Sequence, residues 1–136
     1  MNGSTRKDIA RRLLTAAGQG DLATVEPLTA ADFALEQMVR DPAAETAPVG
    51  TRYDRADYLG FLGAVKQLTR TGMNLSLDRV IEDGDDVVVF GTSDAVSPGG
   101  WSYRNAYCWH LVFAGDRVRL MREYFDTALA ARLLAD

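Results

Sequence analysis

Glu123 is the residue in this chain best placed to move a proton. It stands two positions from Met121 and two from Phe125, and in an extended strand residues two apart share a face. A carboxyl walled by apolar neighbours loses hydration. That loss raises its pKa toward neutral values, where it can act as general acid or base. Upstream, Asn105, Tyr107 and Trp109 alternate with Ala106, Cys108 and His110. This alternation predicts an aromatic wall with one amide set into it, able to hydrogen-bond a carbonyl or a phenol. Asp94 is in phase with Phe90 and Thr92, which would aim all three at the same cavity. Its place just before Ser97 and Pro98 suits a solvated strand end better.

Other chemistry finds less support. Cys108 and His110 fall on the face opposite Tyr107 and Trp109, and a Cys-x-His pair with no further ligand builds no ordinary metal site. Side by side on a sheet surface, they do not make a nucleophile and base either. Asp126 is what a helix N-cap needs. No phosphate loop or dinucleotide fingerprint is present, so neither a cofactor nor a metal is expected.

The elements that must position these residues follow from periodicity. Residues 5–18 read as a helix capped by Thr5, with Ile9, Leu13, Ala16 and Ala17 as its inward stripe. Asp21 caps a short second helix with Leu22, Val25 and Leu28. Phe33 to Val39 reads as a strand carrying Leu35 and Gln37 on one face, and residues 40–53, with Pro42, Pro48 and Gly50, read as a loop bordering the pocket mouth. Asp54 caps a third helix over 55–69, with Tyr58, Phe61, Leu62, Val65 and Leu68 at helical spacing. From Met73 the period becomes 2. Turns at Asp83–Gly84, at Ser97 to Gly100 and at Ala114 to Asp116 give a four-stranded antiparallel meander. The last turn separates a long arm over 101–113 from a return arm ending at Asp126, where a closing helix with Leu129, Leu133 and Leu134 begins. The expectation is one α+β domain over 1–136: three N-terminal helices on the concave face of a curved antiparallel sheet, with a short C-terminal helix. Val87, Val89, Cys108, Val112, Val118, Leu120 and Tyr124 are expected on the outer face. So apolar a face predicts a homodimer through the sheet.

Composition narrows the function class. The net charge of −4 argues against nucleic acid and anionic membranes as partners. One Cys excludes an intrachain disulfide. No apolar run is long enough to span a membrane, and the first residues carry no apolar signal segment. The expected location is the cytoplasm.

Four short stretches carry a family likeness: Gly20, Asp21 and Leu22 after the first helix; Ala31 and Asp32 before the first strand; Gly100 to Tyr103; and Arg122 to Asp126. With the order of elements, they resemble the nuclear transport factor 2-like superfamily, in its SnoaL-like polyketide cyclase, ketosteroid isomerase-related and limonene-epoxide hydrolase-like branch. The resemblance implies a cone-shaped half-barrel with an apolar pocket, usually in a dimer. It also allows family residues to be carried over in ungapped register. The ketosteroid isomerase tyrosine falls on Leu13, its base on Gln37 and its oxyanion-binding Asp on Trp109, so that set is not retained. Of the epoxide hydrolase set, the Arg falls on Phe90 and its Asp on Thr92. The second Asp falls on Glu123, the water-holding Asn on Gln37 and the Tyr on Leu35. A carboxylate and an amide survive, and the arginine does not.

Two functions are compatible with these residues. One is a cofactor-independent enzyme, an isomerase, cyclase, dehydratase or hydrolase, acting on a small apolar or aromatic carbonyl compound. Glu123 and Gln37 would do the chemistry. Leu35, Phe90, Thr92, Asp94, Asn105, Tyr107, Trp109, Met121 and Phe125 would line the substrate site. The other is a non-catalytic small-molecule-binding module, or a protein that pairs through its sheet.

Overall fold

The computed structural model describes residues 5–38 and 51–135. Helix α1, Arg6–Gly18, starts at a reciprocal cap: the Thr5 hydroxyl accepts from the Asp8 backbone N–H at 3.1 Å, and the Asp8 carboxylate accepts from the Thr5 N–H. Ile9, Leu13, Leu14 and Ala17 are buried, each leucine contributing roughly 1.5–3 kcal/mol. Helix α2, Leu22–Val25, is capped by Asp21 and runs into a tight turn, Glu26–Leu28.

Strand β1, Thr29–Gln37, begins before the expected Phe33. Its start is set by pairing, since Thr29 already lies opposite Val118. Val39 and most of the expected loop lie outside the described residues. The tail of that loop is instead strand β2, Thr51–Asp54, antiparallel to β1. The expected single third helix is two: α3, Arg55–Gly63, capped by Asp54, and α4, Val65–Leu68. The break follows Gly63, a poor residue for a helix interior.

Strands β3, Asn74–Asp83, β4, Asp86–Val96, β6, Ala106–Ala114, and β7, Arg117–Phe125, form the meander, and α5, Thr127–Leu134, closes the chain from its Asp126 cap. The sheet order is β2-β1-β7-β6-β4-β3, with the two-residue β5, Ser102–Tyr103, on β4. The sheet curls into a half-barrel around the helices, giving the α+β cone. It is mixed rather than wholly antiparallel, because β1 runs parallel to β7.

Two expectations about the long arm and its neighbour need correction. The arm over 101–113 is not one strand. It breaks at Arg104 and Asn105, and Asn105 turns its amide into the break. Its Nδ2 donates to the Tyr103 hydroxyl at 2.7 Å and to the Asp126 carbonyl at 3.0 Å. Its Oδ1 accepts from the Ala106 and Asp126 N–H groups at 2.8 and 3.0 Å. The second correction is one of phase. Val87 and Val89 are core residues, because register sets them beside Leu111 and Trp109. Phe90 pairs with Cys108, which pairs with Tyr124, and that row faces outward. Gly91 is inward: an added Cβ would lie 2.6 Å from the Ser76 carbonyl oxygen and 3.3 Å from the Trp109 ring. Val118 is also core, since a bulge after Val112 sets it opposite Phe113. Cys108, Val112, Leu120 and Tyr124 keep some exposure, as expected of the outer face.

Asn105 ties the kinked arm to the start of α5 with every hydrogen-bonding position of its amide. Asn105→Ala removes the acceptor of the Ala106 and Asp126 N–H groups and the donor to the Asp126 carbonyl and the Tyr103 hydroxyl. A loss of about 2–4 kcal/mol in unfolding free energy is expected in denaturant titrations.

Candidate functional site

The concave side of the sheet holds a cavity of about 520 Å³, within the range for a small-molecule site. Its sheet wall is built from rows of side chains level with one another across strands. Leu35 and Met121 form one row, and Tyr107 and Phe125 another. Between them lie Gln37, Glu123 and Trp109. The helices α1, α3 and α4 supply Leu14, Ala17, Tyr58, Phe61, Leu62 and Val65 on the facing side, and α5 adds Ala130 and Leu133.

Glu123 is held from both flanks. The Trp109 indole Nε1 donates to its Oε2 at 2.8 Å, and the Gln37 Nε2 donates to its Oε1 at 3.2 Å. The side chain is only partly accessible, and it lines the cavity. Burial pushes the Glu123 carboxyl above the usual carboxylate range, against the hydrogen bonds from Trp109 and Gln37 that pull it down. Among the described residues no cation pairs with it. Its strand neighbour Arg122 instead reaches Glu36 on the outer face, at 3.1 Å. A carboxyl of this kind carries its proton to higher pH than an exposed one, which is what proton transfer near neutrality needs.

The candidate residues separate into two groups. Glu123, Gln37, Leu35, Tyr107, Trp109, Met121 and Phe125 are brought together on the cavity. Gln37 stands beside Glu123 on the neighbouring strand. Phe90, Thr92, Asp94 and Asn105 are not on this cavity. Phe90 is on the outer face at 38% exposure. Thr92, Asp94 and Asn105 border a separate surface depression with Arg104 and Asp126, and Asp94 lies 3.6 Å from Arg104 there. Asn105 is consumed by the strand break.

Several polar residues of the cavity, Tyr53, Tyr103 and Thr127 among them, went unrecognised in the sequence, as did two further polar groups that bear on Glu123. One is the Trp109 N–H, which counts there only as part of an apolar wall. The other is Tyr58, which counts as part of the α3 core stripe. Its hydroxyl is buried without a hydrogen-bond partner among the described residues, and burial first, then the charge of Glu123, pushes its pKa up. The usable signal was the residue type, since an inward tyrosine must find a partner for its O–H. Tyr107 is already satisfied. Its hydroxyl lies 3.1 Å from the Ser93 hydroxyl, and its ring stacks on Trp109 with centroids 4.8 Å apart.

No helix among the described residues is long and apolar enough to cross a membrane. The SnoaL-like domain family matches residues 10–121. Three solved structures share the fold. IdmH of Streptomyces antibioticus, a candidate polyketide cyclase, is 20% identical with a TM-score of 0.76, covering 98% of this chain and 100% of that one. TerC, co-crystallised with polyporic acid, is 21% identical with a TM-score of 0.77, covering 98% and 100%. An LEH-like epoxide hydrolase of M. tuberculosis is 18% identical with a TM-score of 0.73, covering 96% and 89%. Comparison with curated proteins finds no match.

The raised carboxyl makes stability depend on pH. The folded value lies above the unfolded one, so the folded state holds this proton more tightly. That contribution is complete below the unfolded value of about 4.3 and is lost as pH rises through the folded value, at about 1.4 kcal/mol per pH unit within the window. Glu123→Gln removes it. Denaturant titrations from about pH 4 to pH 8 should show the variant gaining on the wild type as pH rises through that window.

Proposed function

Since the chain belongs to the SnoaL-like domain family of the nuclear transport factor 2-like superfamily, we propose that it is a cofactor-independent enzyme acting on a small apolar or aromatic carbonyl compound by acid–base catalysis. The observation that carries this reading is Glu123 on the wall of an apolar cavity, its carboxyl raised and unpaired with any cation among the described residues. As a carboxylate it takes a proton from a carbon next to a carbonyl or from a hydroxyl, and as an acid it returns the proton elsewhere on the same skeleton. Isomerisation, cyclisation and dehydration all need such a step. Gln37 and Trp109 position the carboxyl, and the stacked Tyr107 and Trp109 rings offer a flat surface to an aromatic substrate. The co-crystallised polyporic acid of TerC and the cyclase assignment of IdmH agree with an aromatic or polyketide-like ligand. Epoxide hydrolysis by an arginine-oriented set has little support, because Phe90 faces outward and its inward neighbours Val89 and Gly91 carry no cation.

A binding module is the second reading. It is favoured by one observation, that both carboxyl oxygens of Glu123 are already engaged. The two readings divide on Glu123→Gln. Native mass spectrometry of the purified protein identifies what occupies the cavity. With that compound, the enzyme reading expects turnover to fall about 10²–10⁴-fold in the variant, with binding kept. Unchanged turnover would end the acid–base proposal. No turnover in wild type, with binding intact, would favour the module.

We also infer a homodimer through the outer sheet face, where Ile81, Phe90 and Tyr124 are 43%, 38% and 42% exposed. Ile81 lies on the row of Val88 and His110, and Phe90 and Tyr124 flank Cys108. Light scattering should give twice the 14.9 kDa chain mass, and Phe90→Glu should return the single-chain mass.

A further inference from the structure

Tyr58 is the one buried side chain among the described residues whose polar atom has no hydrogen-bond partner. It is 2% exposed, and it lines the same cavity as Glu123. Its ring is fixed against Phe33, centroids 4.9 Å apart, so the hydroxyl cannot swing out to water without breaking core packing. No polar atom of the described residues lies within hydrogen-bonding reach of its hydroxyl. The donors nearest the carboxyl, Trp109 and Gln37, are turned to Glu123. A phenylalanine of nearly the same volume would serve the Phe33 contact equally well and would bury no unpaired O–H.

We propose that the Tyr58 hydroxyl is a substrate-binding donor, which selects ligands that present an oxygen acceptor, such as a carbonyl, to the helix side of the cavity. This deepens the proposed function and rests on its reading of the cavity as a small-molecule site. Burial, reinforced by the charge of Glu123, keeps this phenol protonated throughout the working pH range, so the group donates. Tyr58 and Glu123 come from opposite walls, α3 and β7, and the stacked Tyr107 and Trp109 rings adjoin Glu123 on the sheet. A flat ligand bearing one oxygen is therefore gripped at three kinds of contact: ring face, acceptor oxygen and transferable proton. A hydrocarbon of the same shape satisfies only the first.

The test uses two probes of matched shape, 1-indanone and indane, with wild type, Tyr58→Phe and Glu123→Gln. Titration should show Tyr58→Phe weakening 1-indanone by about 3–10-fold, the worth of one neutral hydrogen bond. Indane should stay within about twofold. The infrared carbonyl band of bound 1-indanone should move to higher frequency in Tyr58→Phe and stay in place in Glu123→Gln. The unfolding midpoint of Tyr58→Phe should equal or exceed that of the wild type. An unchanged band and affinity in Tyr58→Phe overturns the proposal. So does a lowered midpoint with equal losses for both probes, which would make the hydroxyl structural. Failure of the wild type to bind either probe overturns the cavity reading and this proposal with it. Full turnover in Glu123→Gln, by contrast, ends only the acid–base reading and leaves the Tyr58 contact standing.

Discussion

The parallel pairing of β1 with β7 is the constraint on which the site depends. It brings Gln37 level with Glu123 on one side, while the antiparallel pairing of β6 brings Trp109 level on the other. A carboxyl thus sits between two N–H donors that carry no full charge. Such donors offset only part of the cost of burying an anion, and a guanidinium in either position would offset far more. The result is a carboxyl that is held in place but not locked into its charged form. The same pairing also closes the sheet against the helices, because β1 carries Phe33 and Leu35 into the core beside Tyr58 and Met121.

The two faces of the sheet treat charge in opposite ways. On the outer face, Glu36 accepts from both Arg52 and Arg122 at 3.1 Å, and His110 lies 2.7 Å from Asp86. These pairs are solvated, and each is worth about 0–1 kcal/mol. On the inner face the Glu123 carboxyl stands without a counter-ion among the described residues. Alternation along β7 produces this split directly, since Arg122 and Glu123 are consecutive and point to opposite sides.

Much of this was readable from residue order. The cap at Thr5, the helix of α1, the meander and the inward placement of Glu123 all follow from local pattern, because a carboxylate in phase with Met121 and Phe125 must share the face that those two bury. The phase of β4 did not follow. The run Val87, Val88 and Val89, followed by Phe90, is apolar on both faces, so periodicity has nothing to decide on, and only register with β6 resolves it. The break at Asn105 was hidden for a related reason. Its period-2 pattern continues through the kink, while the cause lies in hydrogen bonds to Asp126, more than a strand away. That Gln37 stands level with Glu123 was not legible either. Parallel pairing between distant segments leaves no mark in either segment alone.

The two tryptophans of the chain sit in very different electrostatic surroundings. Trp109 is buried with its indole N–H on the Glu123 carboxyl. Trp101 is partly exposed, with the Arg132 guanidinium 4.0 Å over its ring. An indole's emission colour responds to the field along its ring. The protein therefore contains two native optical probes: one that registers the ionisation of the cavity carboxyl, and one that registers whether the last helix is seated.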